Sequence, residues 1–121
     1  MPFIAPNPAH YLGSKVGTGQ CVAYVQAATS IGSTGTWTAG VKVISAHPGQ
    51  ITKGTVIATM VDGHYPNHSH GNHAAIYLSH DASGIQVIDQ WLGQVVHYRT
   101  IHDHGGNGSP SNDASKFYVV E

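Results

Sequence analysis

The sequence predicts an α+β domain in which one N-terminal helix packs on an antiparallel sheet of about five strands. Three observations carry this. A glycine-punctuated loop, Gly17-Thr-Gly-Gln, runs into Cys21 and then into a stretch of good helix and core formers from Val22 to Ala28. From Thr55 onward, β-branched runs alternate with short turns rich in Gly, Asp and Asn, which is the pattern of hairpin-connected strands. The order is one helix and then strands, not alternation of the two, and that order belongs to α+β architectures. The length of 121 residues, without an internal repeat or a linker, suits one domain over residues 1–121.

Each element has a local reason. Residues 1–12 contain three prolines and read as an extended arm lying over the domain. The glycines at 17 and 19 permit a sharp loop, so a helix can begin close to Cys21 and run over about 20–30, with Val22, Val25, Ala28 and Thr29 on one face. Gly32 and Gly35 break it, and 37–40 continues as an irregular segment whose Trp37 lines a core or a groove. Strands are predicted over 55–61, stopped by Asp62-Gly63, then 73–78, 85–91, 95–101 and 117–120. The segments 63–72 and 102–115 read as loops, the second long enough to suggest a role in function.

Composition excludes several classes. Charged residues are 9 % of the chain, against about 25 % in average usage. The formal net charge is −1, and Lys15, Lys42, Lys53, Arg99 and Lys116 are scattered singly. Nucleic acid and anionic membrane are therefore poor partners. A single cysteine forms no internal disulfide, so the fold does not depend on an oxidising compartment. The first eight residues carry neither the basic nor the apolar region of a Sec signal peptide, and no window has the length of a membrane span. Export by another route, without membrane insertion, is the expectation.

A cysteine at a helix N-terminus faces unpaired N–H groups and the positive end of the helix dipole, both of which favour the thiolate. Those N–H groups are also placed to hold an oxyanion. A nucleophile needs a base, and the base an orienting group. His73 opens an apolar strand after a Gly-Asn loop, where a side chain is fixed by the sheet yet open to a cleft. On the alternating pattern His73, Ala75 and Tyr77 share a face, as do Ile85, Val87, Asp89 and Trp91. Pairing Tyr77 with Ile85 sets His73 opposite Asp89, and a shift of one residue offers Gln90 instead. Asp89 interrupts an otherwise apolar face, and a buried carboxylate needs a partner. The expected catalytic residues are thus Cys21, His73 and Asp89. The Cys21 N–H is the first oxyanion donor, with Gln20 or Tyr11 as a second and Gln90 and Trp91 near the substrate.

Gly-x-Gly-Gln-Cys21-Val-Ala-Tyr-Val, His73-Ala-Ala-Ile-Tyr-Leu and Ile85-Gln-Val-Ile-Asp89-Gln together resemble the NlpC/CHAP group of papain-like cysteine amidases. The likeness covers about residues 13–101 and is closest to small stand-alone members related to type VI secretion amidase effectors. These include the family typified by the Burkholderia protein BPSL-0067. The resemblance implies hydrolysis of an amide bond in the stem peptide or cross-link of peptidoglycan through a thioester, with no cofactor. It further implies an antibacterial effector acting in the periplasm of a target bacterium, and a cognate immunity protein as partner.

Two competing readings remain at this level. His64, His68, His70 and His73 fall within ten residues, with Tyr65 and Asn67 between, and imidazoles are good ligands for zinc, copper or nickel. Their spacing matches no helical zinc pattern. The other reading is a non-catalytic module that binds cell-wall peptides, since fold does not fix function.

Overall fold

Runs rich in Val and Ile set the strands, and the polar turns between them set the hairpins. The computed structural model describes residues 1–66, 68 and 70–121. Its helix α1 spans Cys21–Ala28 and six strands follow: β1 Ala39–Lys42, β2 Val56–Thr59, β3 Ala74–Asp81, β4 Gly84–Trp91, β5 Gln94–His102 and β6 Phe117–Val120. They form one antiparallel sheet in the order β1-β6-β2-β3-β4-β5. The α+β class and the helix-on-sheet arrangement are as expected. The extra strand, β1, falls where an irregular segment is predicted. Its sequence Ala39-Gly-Val-Lys has little β propensity, and it is held by pairing with β6.

The helix is shorter than the expected 20–30. It stops at Ala28 because Thr29 leaves helical geometry while its hydroxyl and its N–H both donate to the Val25 carbonyl. Tyr24 and Val25 are its buried residues, and they pack with Val56, Ala58, Ile76 and Ile88 of the sheet. A second apolar cluster takes in Ile57, Tyr77, Ile85 and Val87, covered by Val43, Ala46, Ala114 and Phe117. The sheet is thus buried on both sides, which is why β2 is buried along its whole length. The N-terminal arm joins the sheet margin, where the Val56 N–H donates to the Phe3 carbonyl and Ile4 bridges Thr55.

The β3–β4 pairing differs from the expected one by two residues. Tyr77 lies opposite Val87 and Ile76 opposite Ile88, with a bulge before Ser79. Continuing that register sets Asp89 beside Ala75, diagonal to His73. A displacement of two keeps every side chain on its face, so the carboxylate stays within reach of the imidazole.

Candidate active site

The loop before Cys21 turns through glycines at positive φ, 55° at Gly17 and 87° at Gly19. A Cβ at Gly17 would meet that of Ala23 at 3.1 Å, so the glycine also lets the loop close against the helix. Gln20 is the helix N-cap and its side chain makes no capping hydrogen bond. The first N–H groups of α1 are therefore not taken up by that side chain, and Cys21 stands among them. His73 sits one residue before β3. Its N–H donates to the Thr59 hydroxyl at 3.0 Å and its carbonyl accepts from the Thr59 N–H at 2.9 Å, which fixes its backbone to β2.

The His73 Nε2 donates to Asp89 Oδ2 at 2.7 Å. This leaves Nδ1 as the ring nitrogen available to the Cys21 thiol, with which His73 interacts electrostatically. Asp89 is fully buried and His73 5 % exposed, so their attraction is little screened by solvent. Arg99 also donates to Asp89 Oδ2, from Nε at 2.9 Å. A cavity of about 490 Å³ opens over the thiol, lined by Gln20, Cys21, Tyr65, His70, His73 and Trp91 among others.

Charge is distributed as a cysteine nucleophile requires. Burial pushes the Cys21 thiol up, but the His73 hydrogen bond and charge, the Ala74 N–H and the Tyr65 hydroxyl outweigh it and hold the thiol below its ordinary value. Burial likewise disfavours imidazolium at His73, yet the bonds to Asp89 and Cys21 raise it to about 8. Burial works against the Asp89 carboxylate too, and His73 and Arg99 keep it ionised below the usual range.

The model of the domesticated amidase effector 2 family matches residues 3–120. The chain belongs to this family. It is similar to a type VI secretion amidase effector 2 protein of Salmonella typhi, 36 % identical over 135 aligned positions that span all of both chains. A domesticated amidase effector 2 of Ixodes scapularis is 38 % identical over 89 positions, 74 % of this chain and 59 % of that one. The solved structure of a type 6 secretion amidase effector 2 superposes with a TM-score of 0.84 at 37 % identity, covering 98 % of this chain and 93 % of the other. The resemblance to amidase effectors of the papain-like group is borne out.

In this amidase effector, two of the expected site residues do other work. The Tyr11 hydroxyl donates to the Ala27 carbonyl at 3.4 Å, about 9 Å along the helix from Cys21, and its ring packs on Tyr24. Tyr11 is a helix prop and does not line the cavity. Gln90 does not orient His73. Its amide accepts from the Val16 N–H at 3.0 Å and donates to the carbonyls of Val16 at 2.9 Å and Gln20 at 2.8 Å. This buried side chain ties the Cys21 loop to β4. Replacing it by alanine is expected to cost about 2–3 kcal/mol, because the three backbone groups lose their partner. Turnover should fall with it while the His73–Asp89 pair stays formed, and urea unfolding beside steady-state kinetics of Gln90→Ala checks both.

Gln20 and Trp91 do line the cavity, the indole standing edge-on to His73 at 6.3 Å. Sequence reasoning missed Tyr65, whose hydroxyl lies 3.9 Å from Cys21 Sγ. The Tyr65 ring rests against Trp37 at 4.9 Å, and burial above all raises its phenol, so it remains a donor. Of the histidine-rich loop, His68 and His70 line the cavity and His64 bridges Thr38 and Val61. Among the described residues no three His, Cys, Asp or Glu side chains gather where they could hold a metal, and Asn67 lies outside those residues. Among the described residues no helix is long and apolar enough to cross a membrane.

Proposed function

We propose that this amidase, as a single domain over residues 1–121, cleaves an amide bond of peptidoglycan stem peptides or cross-links. The observation that carries the reading is a helix-N-terminal thiol paired with an imidazole that a buried carboxylate orients. The Cys21 thiolate attacks the amide carbonyl carbon and its electron pair moves onto oxygen. In this reading the Cys21 N–H and the Tyr65 hydroxyl, which lies 3.9 Å from Cys21 Sγ, hold that oxyanion. His73 then protonates the leaving amine from Nδ1, and collapse gives a thioester and a free amine. Neutral His73 next takes a proton from water, whose hydroxide attacks the thioester. A carboxylic acid leaves and the thiol is restored. If Tyr65 supplies the second donor, Tyr65→Phe should lower kcat by about 10²-fold with little change in KM. An undiminished kcat assigns that role elsewhere.

The active form pairs thiolate with imidazolium. Activity should therefore rise as the thiol ionises, below the ordinary cysteine range, and fall as His73 loses its proton near pH 8. A kcat/KM profile from pH 5 to 10 checks this, and a rate still flat at pH 9.5 removes His73 as proton donor.

The relatives are named for type VI secretion. Delivery by that machinery into the periplasm of a target bacterium, and a cognate immunity protein that fills the cavity, follow for this chain as part of the proposal. Binding of such a partner is expected to protect Cys21 from alkylation. The deciding experiment is digestion of purified Gram-negative peptidoglycan by wild type and Cys21→Ala, with fragments identified by mass spectrometry. New stem-peptide fragments from wild type alone name the bond. No cleavage by either, together with an unreactive thiol, would leave a peptide-binding module.

A further inference from the structure

Asp89 carries more than one obligation. Its Oδ2 accepts from His73 Nε2 at 2.7 Å and from Arg99 Nε at 2.9 Å, with Arg99 Nη2 at 2.8 Å, so both neighbours converge on one oxygen. Its Oδ1 is buried and has no hydrogen-bond partner among the described residues. A carboxylate gripped on one oxygen is free to pivot unless something fixes the group that grips it. Arg99 is so fixed. Its Nη1 donates to Asn112 Oδ1 at 3.2 Å, its Nη2 to the Ser111 carbonyl at 3.4 Å, and its guanidinium lies over the Trp91 ring at 5.1 Å. The loop that supplies Ser111 and Asn112 is itself folded around the buried Asp113, whose carboxylate accepts from the N–H groups of His104, Gly106 and Ser115 and from the Ser115 hydroxyl.

We propose that Arg99, clamped between Trp91 on one side and the Ser111 carbonyl and Asn112 side chain on the other, is a positioning residue that holds Asp89 in line with His73 and offsets part of its charge. The inference rests on the Cys21–His73 reading above. A lone carboxylate would bind the imidazolium too tightly for His73 to release its proton to a leaving amine at neutral pH. A second cation on the same oxygen weakens that hold, while the fork geometry of the guanidinium keeps the oxygen aimed. The other charged or titratable groups facing the pair are Cys21 and Tyr24 from α1, Tyr65 from the loop before β3, and His97, whose Nδ1 is 3.7 Å from Asp89 Oδ1. None of them is altered by the substitutions below.

The test is Arg99→Gln and Arg99→Lys beside wild type, read by the pH dependence of Cys21 alkylation with iodoacetamide and by kcat and KM across pH. Arg99→Gln should move the alkaline limit of the thiolate–imidazolium pair upward by about one pH unit. Its kcat at pH 7 should fall about tenfold or more while KM changes little. Arg99→Lys keeps a cation without the fork, so the alkaline limit should stay near the wild-type value while kcat remains reduced. An unchanged limit in both variants, or a loss confined to KM, overturns the proposal. If Arg99→Gln does not fold by circular dichroism, Arg99→Lys decides: a displaced limit there overturns it as well. Alkylation needs no substrate, so the test stands even if peptidoglycan is uncut. A wild-type thiol with no pH-dependent reactivity sinks the parent reading instead.

Discussion

Cys21→Ala is expected to lower peptidoglycan cleavage by at least about 10⁴-fold while leaving the fold intact. The size follows from the mechanism: without sulfur there is no thioester, and the remaining imidazole and N–H groups are left to activate water in a site arranged for a thiolate. The fold should survive because Cys21 is only partly buried and alanine is a good residue for the first turn of a helix. His73→Ala should be nearly as severe, since it removes both the proton donor and the group that holds the thiol ionised. Fragment yield by mass spectrometry, with thermal unfolding to verify folding, reads the outcome. Substantial cleavage by folded Cys21→Ala would remove the nucleophile from the scheme.

Asp89→Asn is expected to reduce kcat by about 10³- to 10⁴-fold, chiefly through the wrong imidazole tautomer. Arg99 can only donate, so the new amide must turn its oxygen toward Arg99 and its NH₂ toward His73. Nε2 then has to accept, the ring proton moves to Nδ1, and Nδ1 no longer takes a proton from the thiol. The same change removes the counter-charge of a half-buried arginine from a buried site, at about 3 kcal/mol of stability, or roughly 10 °C in Tm for a chain of this size. The acid side separates the two proteins. Wild-type Asp89 titrates below its ordinary carboxyl value, so its contribution is present above about pH 4 and lost as pH falls through the lowered value. Asp89→Asn should lack that part of the acid transition. Full activity in a stable Asp89→Asn would show that His73 needs no carboxylate.

Much of this arrangement is legible in the chain because it is local. Glycines before a lone cysteine mark a helix start, a histidine opening an apolar strand marks a fixed side chain, and a carboxylate on an apolar face demands a partner. The two-residue error in β3–β4 pairing does no damage to that logic, since the bulge before Ser79 lies beyond the site and the faces are preserved. What stayed hidden is non-local. Tyr65 sits in a loop with no periodicity and reaches Cys21 only through packing on Trp37. Arg99 is a single cation on a strand of mixed exposure, and such a residue reads as a solvated side chain until Asp89 is placed beside it. β1 exists because β6 pairs with it from the other end of the sequence.

That pairing also sets an order in time. β6 is made after every other strand, yet it lies inside the sheet against β2, whose Thr59 grips His73, and Phe117 places its ring 6.4 Å from the imidazole. A growing chain on the ribosome has all three reacting groups before it has the strand that holds them together. A chain that still lacks β6 is therefore expected to carry these groups without their final alignment. A chain arrested before Phe117 should show a slowly alkylated Cys21, and the thiol should become reactive only once β6 has docked.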